Sequence, residues 1–123
     1  MKIKFDTLIR PCIITQLKRN ERDEMAKITI KLAPSKIMSD FYLANDKVTM
    51  AKFYYNDYTV MEAFHVYKSG EAAANEAFDL TNNPARQEER LERYGRFRSV
   101  SVGDIVNVDG VEYLCDSFGW SQI

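Results

Sequence analysis

The chain is poor in the residues that carry most recognisable chemistry. Its 123 residues include one histidine and two cysteines. With His65 as the only imidazole, a His-based metal site or proton relay would have to borrow carboxylates. Cys12 and Cys115 belong to no CxxC pair or Cys/His cluster, which argues against a structural zinc site. Glycine-rich phosphate loops are missing, since Gly103 and Gly110 stand alone, so nucleotide hydrolysis and dinucleotide binding are not expected. No Gly-x-Ser-x-Gly is present to build a nucleophile elbow. Three prolines and five glycines exclude collagen-like and linker-like chains. No run approaches the roughly 20 apolar residues of a membrane helix. The opening MKIKFDTLIRPCIITQ lacks both the continuous apolar core and the small-residue cleavage site of a signal peptide. The expected location is therefore the cytoplasm, with reduced thiols buried in apolar surroundings. No cofactor, metal or membrane partner is expected.

What is present describes an ordinary globular domain. Hydrophobic residues make up 46% and charged residues 28%, and the seven Tyr, seven Phe and single Trp argue against disorder. A chain of this length buries about two-thirds of its unfolded surface, enough for one core without disulfides. Net charge is −1, so no global field draws it to nucleic acid. Residues 1–61 nevertheless hold eleven Lys/Arg against seven Asp/Glu, a balance of +4, and residues 62–123 hold six against eleven, a balance of −5. Five of those last six cations are arginines, which suit fixed bidentate contacts better than lysine does.

Period-two alternation predicts a first strand through Ile3, Phe5, Thr7 and Ile9, interrupted by Pro11, followed by an exposed charged turn at 18–24. The clearest strand is 26–32, where Ala26, Ile28, Ile30 and Leu32 alternate with Lys27, Thr29 and Lys31. One face is buried and the other wet, as an antiparallel sheet requires. Pro34 ends it, and Ser35 is placed to cap a short helix over 36–44. Lys47–Tyr55, rich in β-branched and aromatic residues, reads as a strand, with Asn56-Asp57 as a hairpin turn. Tyr58–Tyr67 is also read as a strand, with Val60, Phe64 and Val66 on one face. A helix remains open there, because Thr59 and Glu62 have capping-box spacing. The alanine-rich 71–81 predicts a helix, and Asn83-Pro84 opens a second, highly charged one over 85–94. Asp109-Gly110, between 104–108 and 111–115, predicts a hairpin in which Val108 faces Val111, Val106 faces Tyr113 and Ile105 faces Leu114. Both faces of that hairpin carry apolar residues, so it should lie centrally. The expected fold is α+β: a single domain over 1–123, an antiparallel β-sheet with two or three short helices on one face, and a C-terminal β-hairpin.

Arg98, Ser99, Ser101, Asp104, Tyr113, Asp116, Gly119 and Trp120 lie in FRSVSVGDIVNVDGVEYLCDSFGWSQI, behind a helix carrying Phe78 and Asn82 or Asn83. This pattern resembles the YodL-like domain of small bacterial, phage and conjugative-element proteins. The resemblance covers residues 70–123. It departs at Trp120, where Phe is commoner, and in the Glu/Arg-rich helix, which has the character of an insertion. It implies an α+β module in a phage or mobile-element setting, with no known catalysis.

The most suggestive local feature is Arg93-Tyr94-Gly95-Arg96-Phe97-Arg98. Interleaved arginines and aromatics suit single-stranded nucleic acid, where bases stack on rings and guanidiniums meet phosphates. Against that, Glu88, Glu89 and Glu92 would repel phosphate, and the favoured reading of the segment is a helix-to-strand junction in which Tyr94 and Phe97 pack inward and the arginines pair with those glutamates. Asp104 and Asp116 flank the hairpin and could hold a cation or do acid–base work, although Asp side chains at strand ends usually bind backbone amides. The expected function is accordingly a non-enzymatic protein that binds and modulates a host or element-encoded protein. Arg90, Arg93, Arg96, Arg98 and Trp120 are the expected contact residues, since Arg and Trp most often anchor interfaces. A single-stranded nucleic-acid binder is the alternative, and a small hydrolase using Asp104, Asp116 and His65 is the remote one. Self-association into a homodimer stays open.

Overall fold

The computed structural model of the chain describes residues 25–123, so the strand expected at the N-terminus, the charged turn and Cys12 lie outside the described residues. The alternating segment forms strand β1, Ala26–Leu32, with its apolar residues buried. Later in the chain come β2 (Thr59–Val60), β3 (Phe64–Val66), β4 (Ile105–Val108), β5 (Val111–Asp116) and β6 (Gly119–Gln122). All pair antiparallel in one sheet, in the order β2-β1-β4-β5-β6, with β3 also on β1. The hairpin register is the expected one throughout: Val108 opposite Val111, Val106 opposite Tyr113, Ile105 opposite Leu114. Asp109 and Gly110 take φ of 51° and 92°, the paired positive values of a turn whose twist matches the strands. The turn is anchored to the start of β1, where Asp109 accepts a hydrogen bond from the Lys27 amide at 2.9 Å through its side chain.

The α+β class is as expected, and the helices cover more of the sheet than expected. Besides short 3-10 turns there are α1 (Met38–Leu43), α2 (Lys47–Phe53), α3 (Gly70–Asn82) and α4 (Gln87–Arg93). Neighbouring residues of a strand point to opposite faces, and β4 uses both. Val106 and Val108 join β1, Ala73, Ala74, Ala77 and Leu80 in one core. Ile105 and Leu114 join Phe41 and Ala51 in a second. Thus α3 packs on one face, and α1 and α2 pack on the other. The alanine stripe of α3 is what allows it to lie close against β1 and β4, because no long side chain holds the backbones apart.

Four local expectations are corrected. Residues 47–53 form helix α2, not a strand, and Asn56-Asp57 falls in a 3-10 turn, Tyr55–Asp57, not a hairpin. Asp46 decides this. Its carboxylate accepts from the Thr49 amide at 3.1 Å and from the Thr49 hydroxyl at 2.7 Å, an N-cap that outweighs the strand preference of the β-branched residues after it. Val48, Ala51 and Tyr55 then fall on one stripe against the second core. Segment 58–67 is extended as read, but Val60 does not share a face with Phe64 and Val66. From Lys31 to Lys27 there are four steps on β1, and from Val60 to His65 there are five opposite them. The extra residue is a bulge that reverses the alternation, leaving Val60 outside while Phe64 and Val66 are buried. The helix expected over 36–44 appears as a 3-10 turn, Ser35–Ile37, followed by α1, and Ser35 does not cap it.

Candidate partner-binding surface

The arginine-rich segment is largely absorbed into the architecture. Asp104 is wholly buried at the start of β4. It accepts from the Ala33 amide at 2.8 Å, the Ser101 amide at 2.7 Å and both terminal nitrogens of Arg98 at 2.7 and 2.9 Å. Arg98 also donates to the Ala33 carbonyl at 3.0 Å. One bidentate pair thus fastens the end of β1 to the 97–104 loop. Arg90 donates to the Thr81 carbonyl, the Ser99 hydroxyl and the Phe97 carbonyl, closing the C-terminus of α3 onto that same loop. Ser99 donates to Thr81 as well, and the buried Thr81 hydroxyl accepts from the Val100 amide. Arg93 donates to the His65 carbonyl at 3.1 Å and lies 3.8 Å from Glu89. Tyr94 turns inward, and burial pushes its phenol up to about 12.

Of the expected contact residues, then, Arg90 and Arg98 hold the fold, and Arg93 covers the rim of β3. Arg96 is exposed, and among the described residues it has no ion-pair partner. Phe97 remains 54% exposed, beside a groove of about 580 Å³ that also includes Leu32, Lys36, Asp57, Thr59 and Arg98. The donors of Arg98 in that groove are spent on Asp104 and Ala33.

The acids and the histidine are not brought together. His65 is exposed on β3, and Asp116 ends β5; β1 and β4 lie between, a separation of roughly 14 Å at ordinary strand spacing. Burial, with the charges of Asp104 and Asp116 adding to it, raises the Cys115 thiol to about 12, so it stays protonated and unreactive near neutrality.

Trp120 lies elsewhere, at the other end of the sheet. Asp116 and Gly119 pair across a two-residue turn, which leaves Ser117 and Phe118 at the tip, with Phe118 fully exposed. Behind the tip, Trp120 donates its indole N–H to Asn75 at 2.7 Å and meets Phe78 edge-on at 6.5 Å between ring centres. Asn75 and Phe78 are three apart on α3, so one helix face supplies both a polar and an apolar support to the indole. Trp120, Asn75, Phe78, Cys115, Asp116 and Ser117 line a cleft of about 230 Å³. Sequence reasoning singled out Trp120, but Phe78 and Asn75 escaped it as partners because they lie over forty residues away.

A second cluster had no sequence signal at all. On the α2 face of the sheet, Lys31 reaches Glu112 at 2.5 Å and the Tyr55 hydroxyl at 2.6 Å. Tyr55 donates to the same carboxylate oxygen at 2.8 Å, and Asn107 donates to it at 3.1 Å. Burial works to raise the Glu112 carboxyl, but the bonds from Lys31, Tyr55 and Asn107 outweigh it, so its value falls below the ordinary one. A carboxyl lowered on folding contributes stability that is present above its unfolded value and is lost as pH falls through the folded one. Glu112→Gln is therefore expected to lose about 1–2 kcal/mol at pH 7 and to flatten the acid limb of the stability curve, read by urea titration between pH 7 and pH 3. An unchanged acid limb would contradict this role.

No helix among the described residues is long and apolar enough to cross a membrane. Set against protein-family models, curated proteins and solved structures, the chain finds no match.

Proposed function

We propose that the protein is a non-enzymatic binding module that captures a protein partner through the tip of the β5–β6 hairpin and the Trp120 cleft. One observation carries this reading: a fully exposed Phe118 stands next to a half-buried, hydrogen-bonded Trp120 at the edge of the sheet. Exposed phenylalanine contributes nothing to the core, whereas aromatic side chains beside a rigid support are what interfaces use as anchors. Arg and Trp were the expected anchors; with Arg90 and Arg98 spent internally, the aromatic end of the expected surface is the better supported. The resemblance of residues 70–123 to the YodL-like domain favours a phage or mobile-element setting, and with it a host or element-encoded partner met in the cytoplasm.

The test compares affinity capture from host lysate by the wild type, Phe118→Asp and Arg96→Glu, with thermal melting as a folding control. Phe118→Asp should leave melting unchanged and deplete a specific retained protein at least tenfold. Arg96→Glu should have the smaller effect. Retention of the same proteins by the wild type and Phe118→Asp would overturn the assignment, and selective loss in Arg96→Glu would move the surface to the 93–98 segment.

A further inference from the structure

The two sides of the sheet are finished differently. On the β2/β3 side the strands are short, a bulge interrupts them, and the Arg93 guanidinium occupies the outward His65 carbonyl. These are devices that keep an edge from pairing with another chain. The β6 side, four residues long, has neither a bulge nor a side chain bonded to its outward backbone groups among the described residues. Among the described residues β6 pairs only with β5, and its hydrogen-bond phase is set by the Ile123 amide, which donates to the Glu112 carbonyl at 3.0 Å. In an antiparallel ladder, inward and outward groups alternate. Ser121 therefore faces β5 with its backbone groups, and Trp120 and Gln122 turn theirs outward.

The surroundings of this edge are acidic. Glu71 opens α3, and a side chain built on Gly119 would lie 4.0 Å from its carboxylate. Asp116 lines the cleft. Lys47 sits 3.7 Å from Asp116 and is itself mostly buried. Glu71 has no ion-pair partner among the described residues.

We infer that the open edge of β6 receives an extended segment of the partner, in which basic and apolar residues alternate. The segment adds a seventh strand by bonding to the outward backbone groups of Trp120 and Gln122. Alternate side chains of such a strand point to opposite faces, so its apolar set reaches the Phe78–Trp120 cleft on the α3 face, where Glu71 stands at the rim, and its cations meet Asp116, which is approached by Lys47 on the α2 face. Backbone pairing supplies affinity, and the cleft and carboxylates supply selectivity. This inference rests on the binding-module reading and names the kind of partner for that surface.

Trp120 is the only tryptophan in the chain, so its emission reports on the site directly. The probes are two synthetic nine-residue peptides, Lys and Val alternating in one, Glu and Val alternating in the other, titrated into the full chain. The basic peptide should shift Trp120 emission saturably, and more weakly as salt rises; the acidic one should not. Gln122→Pro removes one outward donor at an edge position that tolerates proline. It should weaken the basic peptide about tenfold while a melting control stays within a few degrees of wild type. Asp116→Asn, which keeps the shape of the side chain, should weaken it and reduce the salt dependence. Equal response to both peptides, no response, or full affinity in a folded Gln122→Pro would overturn the inference. If the lysate partner is still lost on Phe118→Asp in that event, the binding module stands and only strand addition falls.

Discussion

Asp104→Ala should be the most damaging single change to a polar residue, lowering the free energy of unfolding by about 3–5 kcal/mol. The carboxylate is wholly buried and satisfies two backbone amides and the fork of Arg98. Removing it leaves the Ala33 and Ser101 amides without acceptors and the guanidinium without its counter-charge, and each orphaned buried group carries its own desolvation cost. Asp104→Asn keeps one carbonyl oxygen and should fall between the two. Arg98→Ala should cost less than Asp104→Ala, because Arg98 retains some contact with solvent. The double variant should be more stable than the sum of the single losses predicts, since the second deletion removes a charge the first left unpaired. Guanidinium titrations of the four proteins measure this. An Asp104→Ala chain within about 1 kcal/mol of wild type would mean that Asp104 does not fasten the loop to β1.

The second large effect is steric. Gly103 has φ of 98°, and a methyl placed there would stand 2.5 Å from both Cγ and Cδ2 of Phe41, a ring with no exposed surface. Gly103→Ala combines a backbone conformation that L-residues avoid with a collision in a closed core. Together these should amount to about 2–5 kcal/mol. The two contributions separate in a Phe41→Leu background. There the collision is relieved and the backbone strain persists, so the penalty for Gly103→Ala should shrink without vanishing. An equal penalty in both backgrounds would assign the whole effect to the backbone. The Tyr58 hydroxyl donates to the Gly103 carbonyl, so the strained position is held from its other side as well.

Both effects converge on residues 97–104, the stretch joining the charged helix to the central hairpin. Its importance was partly legible in advance. Asp104 was expected to bind backbone amides at a strand end, and it does so. That the node also takes in Ala33 at the end of β1, 65 residues from Arg98, could not be foreseen. The same holds for Arg93, whose acceptor belongs to β3. An arginine in a sequence announces donors and a charge; whether these face water or a carbonyl depends on which distant backbone arrives beside them.

The misread helix teaches a related lesson at shorter range. Residues 47–55 have a strand-like composition, but composition is a weak preference that a good cap and a buried stripe override. Asp46 and Thr49 were visible as residues three apart. Their weight came from Ala51, Val48 and Tyr55 finding a second core on the far face of the sheet, where no helix had been expected.

What the sequence determined by itself were the features written in local periodicity and turn chemistry. These are β1, the Asp109-Gly110 hairpin with its register, the alanine-rich helix α3, the Asn83-Pro84 start of the next helical segment, and hence the α+β class. Each depends on dihedral preferences and on burial repeating every two or every three to four residues, which are properties of neighbours along the chain. Tertiary structure alone decided that helices cover both faces, that most of the arginine segment is architecture, and that Phe118 and Trp120 stand beside a strand that, among the described residues, pairs on one side only. Those outcomes follow from long-range pairing, in which a group is consumed or left over according to what folding brings against it.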